Sequence, residues 1–184
     1  MNVEAVELFT ALLTMVALAG SVSIVVARAL ITRSELAARA LADLHRVSMW
    51  LAAGVAAVAT AGSLYFSEIA DYAPCRLCWF QRICMYPLTA ILVIAAIRRD
   101  RSARWYALPL LVCGAVISTY HYVIEWKPSW GESACGVGPS CTDVWFRELG
   151  FVTLAFMALA GFLAIGALLF IQPSPSDHQD ARDN

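Results

Sequence analysis

Five long, nearly charge-free runs constrain this chain more than anything else in it: Val6 to Ile31, Val47 to Tyr65, Ile83 to Ile97, Trp105 to Ile124 and Leu149 to Ile171. Each approaches the roughly 20 residues that a helix needs to cross the hydrocarbon layer of a bilayer. A soluble core cannot hide them all, because 60% of the 184 residues are hydrophobic and only 15% charged, against roughly 25% in ordinary soluble domains. The runs predict an all-α membrane protein with five spans. The third run is short alone, but its span extends back toward Trp79, with Pro74 suited to a first helical turn and Arg82 one turn below the interface.

Positive residues set the expected orientation, since Lys and Arg accumulate in short cytoplasmic loops. Arg28, Arg33, Arg39 and Arg46 fill the first connection, and Arg98, Arg99, Arg101 and Arg104 the third. The second and fourth instead carry Glu68, Asp71, Glu125, Glu132, Asp143 and Glu148. Five spans then place the N-terminus outside, the tail inside, and Ser67 to Cys78 and Glu125 to Glu148 on the outer side. The six Trp residues fall near span ends or in the outer loop, as interfacial belts require. The first run is read as a retained span with a packing role: Ala17-Leu18-Ala19 offers a cleavage site, but Glu4 and Glu7 stand where a secretory signal carries positive charge. The end from Pro173 to Asn184 reads as a disordered, solvated tail.

Six cysteines sort by side and depth. Cys75 and Cys78 lie in the first outer loop and Cys135 and Cys141 in the second, while Cys84 and Cys113 fall inside spans, where they read as small buried packing residues. Disulfides persist on the outer side of a bacterial membrane and are rare on the other, so both outer pairs suit disulfides. For Cys135 and Cys141, closing so short a loop stabilises by only roughly 2 to 2.5 kcal/mol. That is too little to order a long loop, and favours an exchangeable disulfide over a staple.

The stretch Pro74-Cys75-Arg76-Leu77-Cys78-Trp79-Phe80-Gln81-Arg82 puts a C-x-x-C dithiol at the water-side end of a span. Cys75, Cys78 and Arg82 are spaced i, i+3, i+7 and share a helix face. The helix dipole and the Arg82 charge predict Cys78 as the easier thiolate, the form that attacks disulfides. Tyr120, His121 and Tyr122 reach a similar depth on the fourth span, level with Gln81 and Arg82. A membrane quinone needs donors, a proton source and a flat apolar slot; Arg82 and His121 can donate, and Tyr86, Trp79 and Phe80 can line the slot.

These elements, with Met85-Tyr86-Pro87-Leu88 after the dithiol and Trp145 leading into Leu149-Gly150-Phe151-Val152-Thr153, resemble the disulfide-bond-forming membrane proteins of the DsbB/BdbC family. With only 5 residues between Cys135 and Cys141, the likeness is to the compact BdbC-like branch. The resemblance implies a four-helix catalytic bundle over residues 47–171. An extra N-terminal helix and cytoplasmic loop (1–46) precede it, and a cytoplasmic tail (172–184) follows. It further implies a membrane oxidoreductase that reoxidises a DsbA/BdbD-like thioredoxin-fold partner and passes the electrons to menaquinone or ubiquinone. By motif, Cys75 and Cys78 become the quinone-proximal pair, with Arg82, Gln81, His121 and Tyr86 around the quinone. Cys135 and Cys141 become the pair that meets the partner. No resident metal is expected.

Three other readings stand beside this one. A vitamin K epoxide reductase-like protein does similar chemistry but carries its C-x-x-C late in the chain, after the loop pair. A zinc site built from the four outer thiols conflicts with an oxidising exterior and unequal spacings. A scaffold with stapled loops predicts that losing Cys78 leaves partner oxidation unchanged.

Overall fold

The computed structural model describes residues 2–30, 34–131 and 138–171. Of the residues named above, Ile31, Arg33, Glu132, Cys135 and the tail from 172 to 184 lie outside the described residues. Among the described residues there are five α-helices, α1 Val3–Ala29, α2 Glu35–Glu68, α3 Arg76–Arg98, α4 Ala103–Trp126 and α5 Leu154–Leu169, with a 3-10 turn at Pro128–Trp130. Among the described residues α1 to α4 are long and apolar enough to span a membrane, and α5 is a shorter apolar helix. The chain is an all-α membrane protein, as its apolar runs predict.

The helices start where capping chemistry dictates. Ser34 accepts the Ala37 amide at 3.4 Å, with Glu35 following in the first turn of α2, where the dipole favours an anion. The alanine-rich stretch behind this cap has high helix propensity. As a result Arg39 and Arg46, expected in the first connection, lie inside α2, whose 34 residues extend about 51 Å. Cys75, not Pro74, marks the start of α3: its sulfur accepts the Cys78 amide, leaving Pro74 just outside the helix.

The fifth run does not enter its helix at Leu149. Glu148 and Val152 pair through N–H···O=C bonds of 2.9 and 2.8 Å, closing a turn in which Leu149 (φ 51) and Gly150 (φ 81) are left-handed. Gly150 suits that geometry without a Cβ penalty. Thr153 then caps α5 by accepting the Phe156 amide at 3.3 Å, so α5 keeps 16 residues, about 24 Å.

Helices α2, α3, α4 and α5 pack in sequence, with α5 closing back on α2, and α1 lies outside against α5 and α2. Lipid supplies no hydrophobic drive between helices, so close approach by small residues holds such bundles together. Ala52, Ala53 and Ala56 of α2 let Leu88 and Leu92 of α3 and Phe162 and Ile165 of α5 share one core. Gly114 of α4 sits against the Phe162 ring so closely that a Cβ would overlap it. A polar tie, Thr60 to Thr89 at 2.8 Å with Thr89 also 3.1 Å from the Ala56 carbonyl, joins α2 to α3. Large apolar side chains such as Phe9, Val16, Ile83, Ile97 and Val116 point outward, as lipid-facing residues do.

Candidate active site

The dithiol is built by the first turn of α3. Cys75 Sγ accepts the Cys78 amide at 3.2 Å and lies 2.8 Å from Cys78 Sγ. Cys75 is buried and Cys78 partly so. On the far side of Cys75 stands His121 of α4, its Nε2 3.7 Å from the sulfur and its Nδ1 3.2 Å from the Gln81 amide nitrogen. With Gln81 donating to Nδ1, the ring proton sits on Nε2, facing Cys75.

A carboxylate continues this row. Glu125 Oε1 is 4.0 Å from His121 Nε2, both side chains being almost fully buried. The Thr153 hydroxyl donates to Glu125 Oε2 at 2.6 Å. The apolar run stops at Ile124, which by sequence puts Glu125 in the outer loop, whereas it lies in the last turn of α4. The overlooked signal was its i, i+4 spacing from His121, which puts both on one helix face.

This arrangement reverses the expectation for the thiolate. The reduced Cys75 thiol is pulled down to about 4, first by the S–H that Cys78 donates to it and then by His121, against the opposing effect of burial. The helix dipole favours an anion at the cap sulfur as well. Arg82, expected to stabilise a Cys78 anion, lends that side its charge but makes its hydrogen bond elsewhere, from Nη2 to the Ser63 carbonyl at 3.1 Å. Cys75 is therefore the sulfur that holds the charge.

Cys78 opens into a cavity of about 480 Å3 between α1, α2, α3 and α5, whose polar lining includes Gln81, Arg82, Tyr86 and Ser63. Tyr86 Oη lies 3.2 Å from Ser63 Oγ. Among the described residues no carboxylate pairs with Arg82, and its guanidinium stacks 5.2 Å from the Trp79 ring centroid. An apolar slot with a cation and phenol at one end fits a quinone head group. Trp79 and Phe80, expected to line the slot, point outward at 54% and 41% exposure. His121 stands on the Cys75 side rather than in the cavity lining.

Cys141, of the second cysteine pair, meets the first pair. Cys141 is disulfide-bonded and 1% exposed, and it packs in one buried cluster with Cys75, Leu77 and Ile124. The family model for "Disulfide bond formation protein DsbB" matches residues 45–172. The chain belongs to the DsbB family.

It is similar to the "Probable disulfide formation protein C 1" of Bacillus anthracis, 45% identical over 67% of this chain and 90% of that protein. The "Disulfide bond formation protein C" of Bacillus subtilis is 45% identical over 60% of this chain and 81% of its own length. A "Probable disulfide formation protein" of Coxiella burnetii is 39% identical over 70% and 88%. No solved structure gives a significant match. DsbB-family membership makes this a multi-pass membrane disulfide oxidoreductase and sets aside the vitamin K epoxide reductase-like reading.

Within this DsbB-family site, Cys75, Cys78 and His121 place their ligand atoms within 4.8 Å of one another, enough for three metal ligands. Two thiolates sharing a tetrahedral zinc ion stand about 3.7 Å apart, whereas these sulfurs are at 2.8 Å, closer to bonding partners than to co-ligands. Cys84 is buried in the core as expected, but Cys113 is exposed on the lipid-facing side of α4 rather than packed.

Proposed function

We propose that this protein is a quinone-dependent protein-disulfide oxidoreductase of the bacterial cytoplasmic membrane, with its cysteine pairs outside and its C-terminus inside. It reoxidises a thioredoxin-fold dithiol protein of the DsbA/BdbD kind. One observation carries this reading: Cys75 shares a buried cluster with disulfide-bonded Cys141 while its neighbour Cys78 lines a quinone-sized cavity beside Arg82.

A partner thiolate attacks Cys135, breaking the Cys135–Cys141 bond, forming a mixed disulfide and releasing Cys141 as thiolate. Burial of Cys141 supports this choice of sulfur. Cys141 then attacks Cys75, breaking its bond to Cys78 and freeing Cys78 as thiolate. The partner's second thiolate closes its own disulfide and releases Cys135, which attacks Cys141 and restores the outer pair, leaving Cys75 as thiolate. Each step is thiolate attack on a disulfide.

The net result is two electrons and two protons moved from the partner to the Cys75–Cys78 pair. A bound quinone supplies the sink, taking two electrons and two protons and leaving as quinol while that disulfide closes. Arg82 favours negative charge beside Cys78, Tyr86 offers a hydroxyl at the same end, and His121 Nε2 holds a proton next to Cys75, oriented by Gln81 and Glu125. The test mixes reduced partner, quinone and purified protein and follows partner oxidation and quinol formation. Cys78→Ser should abolish turnover and Arg82→Ala should weaken quinone use; ordinary rates in both would sink the assignment.

A further inference from the structure

Helix α1 precedes the region matched by the DsbB family model, which begins at residue 45, and its place in the fold gives it more than a packing role. We propose that α1 is a wall of the quinone slot and sets which quinone ring the slot admits; this rests on the quinone reading above.

The cavity that Cys78 and Arg82 open into is lined on its other side by Thr10, Leu13, Thr14 and Ala17 of α1. Around most of its girth α1 exposes lipid-facing side chains such as Phe9, Leu12, Val22 and Val25. Ala11 and Thr14 are buried inward.

Both ends of α1 are fastened. Near its start, buried Glu7 accepts a short hydrogen bond from Tyr72, two residues before Pro74. Tyr72 stacks on Trp145 with centroids 4.8 Å apart, and both rings border the same cavity. A carboxylate at this depth is costly without a partner, so the Glu7–Tyr72 bond ties the helix to the rim of the slot. Burial, followed by this hydrogen bond, holds Tyr72 as the neutral phenol, pushed up to about 12. Near the other end, Arg28 Nη1 donates to the Phe170 carbonyl at 2.6 Å.

The wall has a definite chemistry. Thr10 donates to the Val6 or Glu7 carbonyl, at 2.8 and 3.0 Å, and Thr14 to the Thr10 carbonyl at 2.8 Å. Their hydroxyl hydrogens are thus spent on the helix itself. The opposite wall, on α3, carries Arg82, Gln81 and Tyr86. The α3 wall is therefore the one that can hydrogen-bond a quinone carbonyl oxygen, and the α1 wall meets the ring by apolar contact alone. Side-chain size at Thr14 and Ala17 then decides whether a single or a fused ring fits.

The test uses the full chain with short-chain ubiquinone and menaquinone, measuring equilibrium dissociation constants and mapping labelling by a photoreactive short-chain quinone. Wild type should label α1 between Thr10 and Ala17 as well as α3. Ala17→Phe should raise the dissociation constant at least tenfold for the fused-ring quinone and less for the single-ring one. Val22→Phe, on the lipid-facing side, should change neither, and quinone-free reduction by the partner should keep its rate in both variants, showing that they fold. If Arg82→Ala weakens binding but Ala17→Phe does not, and labelling spares α1, the helix is packing only and the quinone site stands without it. If Arg82→Ala also binds both quinones as wild type does, the quinone reading falls and takes the α1 wall with it.

Discussion

Thr153 donates a 2.6 Å hydrogen bond to Glu125 in the interior of the bundle, so the cap of α5 holds the carboxylate that flanks His121. Glu125→Gln keeps an acceptor for Thr153 but removes the negative charge beside the imidazole. Turnover with partner and quinone should fall roughly tenfold to a hundredfold, below the full worth of a general acid-base group, with the melting temperature nearly unchanged. Thr153→Val should instead cost about 1 to 3 kcal/mol of stability, since it removes a cap and leaves a buried acceptor unpaired. Stopped-flow turnover and thermal unfolding in detergent separate the two.

Cys75 gives a pH signature. With its thiol pulled down to about 4, the reduced protein should hold a thiolate throughout the neutral range and lose it only as the pH falls toward 4. Ultraviolet thiolate absorbance against pH reads this directly. Cys78→Ala and His121→Ala each remove a group that favours the anion, so the midpoint should move upward in both. A midpoint near the ordinary thiol range in the wild-type protein would contradict the geometry.

Arg82 tests the cavity. Arg82→Ala should raise the quinone KM by about tenfold to a hundredfold, the range for one hydrogen bond to a charged group, while partner reduction in the absence of quinone proceeds normally. Arg82→Lys keeps the charge but loses the planar fork that reaches Ser63 and stacks on Trp79, and should fall between.

Gly114 tests the packing. A methyl there meets the Phe162 ring, so Gly114→Ala should destabilise by about 1 to 3 kcal/mol. Adding Phe162→Leu, which makes room, should recover part of that loss in a double-mutant cycle. Equal destabilisation with and without the second change would show that the two helices do not meet there.

The apolar runs made the membrane class legible, because bilayer thickness fixes how long a charge-free helix must be. The dithiol was legible too: three-residue spacing at a helix start leaves two sulfurs little choice but to adjoin. Less legible was everything that depended on how separate helices face one another. Trp79 and Phe80 were expected in the slot because they neighbour Arg82 in sequence, yet consecutive helical residues cannot all face inward, and both point outward. Glu125 was hidden by its position at the end of a run, and only the fold of the Leu149 to Thr153 turn brings Thr153 to it. The turn itself broke the fifth run because Gly150 permits a left-handed backbone that hydropathy does not register. Cys75 was passed over as the thiolate because sequence displays the dipole and Arg82, but not a histidine 46 residues away.

The sulfur that changes partners also starts a helix. As a thiolate, Cys75 is a strong acceptor for the Cys78 amide and an anion where the α3 dipole welcomes one; bound in a disulfide it is neutral and a weaker acceptor. Gaining electrons should therefore tighten the opening turn of α3 and losing them loosen it, so that amide exchange at that turn reads out the protein's redox state.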